Sequence, residues 1–252
     1  MSVRLGNVLV VLGMLTLVVG SPAQTPIEKS IPAQSGQKVS LEFEDPNLIV
    51  IHTWEKQEVK ITGNVSINRG ENDNAFALDV SYKDGTLRIK STLKDKENIP
   101  HRIVIKKDDT EYYFKTSNES DPEIIKFKAE HGHQYSYMSH GITKDISLEV
   151  WVPAGTDTFI ESKFGLIEVR DFRAPLKAIS KFGGIDAAVA IGSVGELTAK
   201  TQFGEILTNL DVKFSDGRIN QDGHWTVVSA KTGSGPKYDF ESKFGKVYLR
   251  RP

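Results

Sequence analysis

The histidines carry the most distinctive chemistry in this chain, and four of the six fall between residues 101 and 140: His101, His131, His133 and His140. His131 and His133 are two residues apart, so on an extended strand both imidazoles face the same side. His140 can return to them across a turn. With a carboxylate such as Glu130 or Asp121, the set His131, His133 and His140 would suit Zn2+ or Cu2+. The competing reading is a solvated hairpin that carries these histidines beside Tyr135 and Tyr137. No other motif implies a cofactor. Cysteine is absent, which removes disulfides and thiolate ligands. No spacing singles out two carboxylates for glycoside hydrolysis.

A set of hydroxyl residues recurs with fixed neighbours. Ser162-Lys163-Phe164-Gly165, Ser180-Lys181-Phe182-Gly183, Thr201-Gln202-Phe203-Gly204 and Ser242-Lys243-Phe244-Gly245 are four copies of one phrase. No histidine stands at a recognisable offset from these hydroxyls, so they read as a packing ladder rather than as nucleophiles. Lys163, Lys181 and Lys243 hold the same place in three copies and could line an anionic polymer. Glu161, Glu168, Asp186, Glu205 and Glu241 stand on neighbouring outward positions, which points to a neutralised solvent face instead.

The elements that must position these residues are strands. Thr158, Ile160, Ser162 and Phe164 share one parity before the first glycine, and Ile167 and Val169 share it after; both sets are expected to face inward. The glycine marks a bend whose backbone a Cβ would disfavour. One such unit cannot bury its apolar face alone, so the copies should stack, each Phe over the preceding Phe and each hydroxyl over the preceding hydroxyl. Looser copies are read at Phe214, Gly217 and Ile219 and at Ala230, Thr232, Ser234 and Gly235.

The 252 residues are 38% hydrophobic and 26% charged, ordinary values for a globular protein, and the formal charge of −1 gives no global attraction to nucleic acid. Residues 1–23 combine Arg4, an apolar run from Val8 to Gly20 and the small-residue end Ser21-Pro22-Ala23, which reads as a secretory signal peptide cleaved after Ala23. The run is shorter than the ~20 residues that span a bilayer, so no transmembrane segment is expected after cleavage. Residues 24–37 read as an unstructured leader and residues 38–252 as a single β domain. Between Val39 and Thr92, alternating runs predict four or five antiparallel strands, with Asp84-Gly85 turning one hairpin. Residues 94–143 read as a charged, histidine-containing insertion of one or two long hairpins. There Ser120-Asp121-Pro122-Glu123 could cap a helix, but Ile125, Phe127 and Ala129 alternate and favour a strand.

The exported N-terminus, the β segment Leu48–Gly63, the strand ending Val150-Trp151-Val152-Pro153-Ala154-Gly155 and the glycine-punctuated strand pairs together resemble the bacterial putative-adhesin family. That is a domain-of-unknown-function group related to the head domain of autotransporter adhesins. The resemblance covers roughly Val39 to Arg250 apart from the insertion. It implies a β-solenoid-like fold and export, and it carries no catalytic residues.

The expected fold is all-β: antiparallel N-terminal strands merging into a right-handed, solenoid-like stack of strand–glycine bend–strand repeats. The expected function is that of an exported, non-enzymatic protein of the bacterial periplasm or outer surface, adhesin-like or scaffolding. Its partner would be an envelope or surface protein or polysaccharide, and the oligomeric state is open. A periplasmic small-ligand or metal-binding protein using His131, His133 and His140 is the alternative, and a carbohydrate-active enzyme on a β-helix-like frame the third.

Overall fold

The computed structural model describes residues 24–215 and 224–252, which are predominantly β. The segment read as a signal peptide, and the loose copy around Gly217 and Ile219, lie outside the described residues. The strands in chain order are β1 (Thr25–Pro32), β2 (Lys38–Phe43), β3 (Leu48–Trp54), β4 (Glu58–Ile67), β5 (Phe76–Lys83) and β6 (Thr86–Leu93). The insertion holds β7 (Arg102–Lys107), β8 (Thr110–Phe114), α1 (Pro122–His131) and β9 (Tyr137–Gly141). Then come β10 (Lys144–Pro153) and the pairs β11 (Thr158–Ser162) with β12 (Leu166–Val169) and β13 (Leu176–Ser180) with β14 (Ile185–Ala188). Next are β15 (Glu196–Thr201) with β16 (Ile206–Thr208), β17 (Thr226–Lys231), and β18 (Lys237–Ser242) with β19 (Val247–Arg250).

Two mixed sheets share one hydrophobic core. One runs β1-β4-β10-β3-β12-β14-β19-β16 and the other β17-β15-β18-β13-β11-β2-β6-β5. In each repeat the strand before the glycine lies in the second sheet and the strand after it in the first.

Four expectations are corrected here. First, residues 25–32 are a strand rather than part of a leader: β1 pairs with β4 antiparallel along its whole length and buries Ile31. Its Pro26 and Pro32 are tolerated because β1 lies at a sheet edge. Second, β2 and β3 are not members of an antiparallel meander. β2 runs parallel to both β6 and β11, and β3 parallel to both β10 and β12, so this pair is the first turn of the stack. Antiparallel pairing joins β4 to β1 and to β10, and β5 to β6, the last through Asp84 and Gly85 at φ 49° and 71°, the left-handed values a tight hairpin needs.

Third, the copies do not stack in chain order. The last copy sits between the second and third: β18 pairs with β13 on one side and β15 on the other, and β19 with β14 and β16. The core shows why. One inward row reads Leu41, Ile160, Ala178, Phe240, Ala199 across neighbouring strands. The fully buried Phe240 ring takes the space beside two alanines, large against small. Placing Ala178 beside Ala199 would leave a void at that level. Likewise the strand read as a loose copy around Ala230 is β17, which pairs antiparallel with β15 at the end of the second sheet.

Fourth, residues 122–131 are a helix. Asp121 accepts a hydrogen bond from the Glu123 N–H at 3.0 Å and Pro122 opens the first turn, so the capping phrase prevails over the alternation. Ile124 and Phe127 are buried one turn apart against Ile103 and Ile105 of β7, while Ile125 is exposed. The insertion therefore has its own small core under a three-stranded sheet, β8-β7-β9.

Candidate interaction surface

Each repeat turns from one sheet to the other at its Ser/Thr-x-Phe-Gly corner, and the corners stack. The hydroxyl residue ends the first strand facing inward. Ser162, Ser180, Ser242 and Thr201 are buried, and together with Phe43 they form one row in register. Ser242 Oγ accepts from the Gly245 N–H at 3.0 Å and donates to the Gly183 carbonyl of the neighbouring copy at 3.1 Å. Thr201 repeats this with the Gly204 N–H and the Gly245 carbonyl, each at 3.1 Å. Ser180 donates to the Gly165 carbonyl at 3.3 Å. One side chain thus closes its own bend and bonds to the next, which satisfies backbone groups that the bend would leave buried without partners.

The glycines are required for a different reason from the expected one. None of the four corner glycines has the left-handed backbone that favours this residue. They are needed because the corners nest. A Cβ on Gly165 would lie 2.3 Å from the Pro46 carbonyl oxygen. On Gly183 it would lie 2.2 Å from the Gly165 oxygen, on Gly245 1.6 Å from the Gly183 oxygen, and on Gly204 1.9 Å from the Gly245 oxygen. The sequence expectation of a glycine bend holds, but its cause is close approach of backbone to backbone.

The phenylalanines point outward, which corrects the inward parity expected for them. The strand ends at the hydroxyl residue, and the three-residue corner breaks the period of two, so Phe projects to solvent. Phe164, Phe182, Phe244 and Phe203 are 49, 53, 44 and 58% exposed. They do stack: ring centroids are 5.5 Å apart for Phe164 and Phe182, 5.1 Å for Phe182 and Phe244, and 5.1 Å for Phe244 and Phe203, with planes within 17°, 2° and 12°. Parallel stacking uses the ring faces on one another and leaves the ring edges in water.

At one end the ladder meets Lys144, whose Nζ is 5.7 Å from the Phe164 ring and 2.5 Å from the buried Asp45 carboxylate. Asp45 stands in the first turn of the stack, which has no Ser-x-Phe-Gly phrase, and sequence reading missed that terminus. Beside the rings, Lys163 contacts Glu44 at 2.8 Å, and this hydrogen bond holds the Glu44 carboxyl below the usual carboxylate range. Lys181 contacts Glu161 at 2.7 Å and is raised by it. Lys246 and Glu205 pair at 2.7 Å, with Lys246 raised and Glu205 lowered by their mutual hydrogen bond. Lys243 lies over the Phe244 ring at 5.4 Å. The expected neutralised lysine face is therefore present at Lys163 and Lys181, and it frames an apolar strip.

The three candidate metal ligands are not brought together. His131 closes α1, stacks on Phe127 at 4.7 Å and meets the tilted Tyr112 ring at 5.3 Å, so its ring serves packing. His133 lies exposed beyond Gly132, which ends the helix, so the shared strand face expected for His131 and His133 is not formed. His140, on β9, faces Glu119 at 3.4 Å. Among the described residues, no group of three or more histidines and carboxylates is arranged to hold a metal ion.

No family model and no curated protein matches the sequence. The fold is similar to the crystal structure of a protein from Clostridium sporogenes described as a "putative cell adhesion protein", with a TM-score of 0.50 and 10% identity over 91% of this chain and 100% of that one. A "putative adhesin" from Bacteroides fragilis aligns over 92% of this chain and 99% of that one at 11% identity, but its TM-score of 0.23 carries no argument. At these identities the likeness is one of fold alone.

Proposed function

We propose that the chain is an exported, non-enzymatic interaction module of the bacterial envelope or outer surface, and that it engages an envelope protein through the phenylalanine ladder. The observation that carries this reading is the unbroken column of four half-exposed, stacked rings. Contiguous exposed apolar surface with a polar rim is the anatomy of a protein-docking site. The rings hold one another in place, so little side-chain freedom remains to be lost on binding. Support for the non-enzymatic reading comes from the carboxylates on the outer faces, which are engaged by cations: Glu161 by Lys181, Glu168 by Arg170, Asp186 by Arg250 and Glu241 by Lys200. The description of the Clostridium sporogenes protein as a putative cell adhesion protein agrees with this reading.

Residues 1–23 act in this proposal as the export signal, and the rest of the chain, β1 included, forms one adhesin-like domain on a right-handed, solenoid-like frame, the hand favoured for parallel strand connections. The test is binding of the purified protein to intact bacterial cells, with and without prior surface proteolysis. Loss on proteolysis is expected, together with at least roughly tenfold weaker binding, about 1.4 kcal/mol, when Phe164, Phe182 and Phe244 are all changed to Ser. Unchanged binding by that variant removes the ladder from function. Binding that survives proteolysis replaces the protein partner with a glycan.

A further inference from the structure

A second site lies where the insertion meets the sheet. The face of β7-β8-β9 turned away from α1 carries Tyr113 and Ser139, both in register with Val104, and it looks across a cleft of about 780 Å3 toward Arg69 and Asp145. That volume falls within the range of about 300–1,000 Å3 typical of small-ligand sites. Glu111, Tyr137, Ser66, His140 and Thr143 add to the polar lining.

The cleft is built before any ligand arrives. Asn68 and Arg69 are consecutive residues in the left-handed region, at φ 50° and 58°. Such a pair persists only where its surroundings dictate it. Here they do: Asn68 is fully buried, and its amide donates to Asn72 Oδ1 and to the Pro100 carbonyl, both at 2.8 Å. Its side-chain oxygen accepts from the Thr143 N–H at 3.1 Å. Pro100 and Thr143 lie at the two ends of the insertion, so one side chain pins both to the end of β4. The same turn projects Arg69 into the cleft, where its guanidinium lies 4.3 Å from the Tyr113 ring centre and 3.6 Å from Glu111. Tyr113 is fixed in turn by Arg102, which donates to its hydroxyl at 3.2 Å and to Glu71 at 2.7 Å.

The chemistry of the lining selects a class of ligand. Arg69 is matched by Glu111 at 3.6 Å, Lys144 turns its ammonium away to Asp45, and Asp145 accepts from the Gln24 amide at 3.1 Å, so the lining holds no free cation for an anion and each of its carboxylates already has a donor. Donors and acceptors are mixed, and an apolar ligand would strip water from them without replacing its hydrogen bonds. Tyr137, 56% exposed at the rim, offers an open aromatic face. A sugar ring presents an apolar C–H face that packs on an aromatic ring and adjacent hydroxyls that both donate and accept. We propose that this cleft binds a neutral saccharide, with Tyr137 as the stacking platform and Arg69, Glu111, Ser139 and Asp145 exchanging hydrogen bonds with its hydroxyls.

The test is a titration of the untagged protein with neutral hexasaccharides of glucose, mannose and N-acetylglucosamine, and with an acidic hexauronate, followed by backbone amide shifts. Saturable shifts at Ser139, Thr143 and Asp145 are expected for at least one neutral sugar, with a dissociation constant of about 1 mM or tighter. Tyr137→Ala and Arg69→Ala should each weaken it by roughly tenfold or more, and Tyr137→Ala should leave the fold intact because the ring is at the surface. Three results overturn the proposal: no saturable shift with any neutral sugar, tighter binding of the hexauronate, or unchanged affinity in Tyr137→Ala. Phe182→Ala, remote from the lining, should leave saccharide affinity unaltered, so failure here and failure of the ladder as a protein-docking strip are distinct outcomes.

Discussion

Replacing Gly245 by Ala tests whether the corners nest as described. The added methyl would sit 1.6 Å from the Gly183 oxygen, 2.5 Å from its carbonyl carbon and 3.0 Å from Gly184 Cα. Carbon contacts are comfortable only near ~3.5–4.0 Å, so one corner must move away from the other by well over an ångström. That displacement breaks the bond from Ser242 Oγ to the Gly183 carbonyl, 3.1 Å, and strains the adjacent bond from the Ile185 N–H to the Lys246 carbonyl, 3.0 Å. Overpacking costs about 1–3 kcal/mol and two weakened hydrogen bonds about 1 kcal/mol each, a loss of roughly 3–5 kcal/mol. The assay is urea unfolding of Gly245→Ala beside Gly192→Ala. Gly192 has open space where a Cβ would project, so its variant should stay within about 0.5 kcal/mol of the parent. Equal stability of the two variants would refute nesting as the reason for the corner glycines.

Phe182→Ala should cost about 1–2 kcal/mol, from two lost ring stacks on an exposed face, against about 3–5 kcal/mol for the buried Phe240→Ala; comparable losses in urea melts would mean the ladder is core. Asn68→Ala removes the bonds to Asn72, Pro100 and Thr143 and should cost roughly 2–4 kcal/mol, with hydrogen exchange rising across residues 94–143; unchanged protection there would show that the insertion is anchored elsewhere. Burial pushes the Tyr238 hydroxyl, which donates to the Phe172 carbonyl, up to about 12. The unfolded tyrosine ionises near pH ~10, so its contribution is complete below that value and is lost as pH rises toward ~12; Tyr238→Phe should flatten the fall in melting temperature over that window, and an unaltered fall would assign it to other groups. Zn2+ titration of the untagged protein should give no site tighter than about 100 μM, roughly 5.5 kcal/mol, and tight binding lost in His131→Ala would contradict the packing role of that ring.

The strands were largely legible because burial on one face imposes a period of two. Thr158, Ile160 and Ser162 before the bend, and Ile167 and Val169 after it, are inward as expected. Counting failed where the period is interrupted: Phe164 follows the strand end, so its parity carries no information about its direction. Register between copies was hidden for another reason. Four near-identical phrases can pair in several orders, and the choice rests on volumes such as Phe240 between Ala178 and Ala199, which a search for likeness ignores. Asp121-Pro122 was a readable cap, outweighed by Ile125, whose exposure shows that the alternation was incidental. The saccharide cleft left almost no local signal. Arg69, Glu111 and Asp145 meet only because Asn68 gathers distant segments.

The position of the last copy also governs how the molecule can be assembled. Residues 237–250 are made after the strands they separate, yet they fill the slot between β13 and β15 in one sheet and between β14 and β16 in the other. A chain still emerging from its N-terminus can therefore complete the stack only as far as the second copy, and the third, with β17 on its outer side, cannot join that stack until the C-terminus arrives. Long-range pairing of this kind slows folding, because the loop must close before the contacts reward it. The C-terminal segment is the keystone: a chain ending before Lys237 would leave two open parallel edges facing a gap in each sheet, and exposed edges are templates for pairing with other chains.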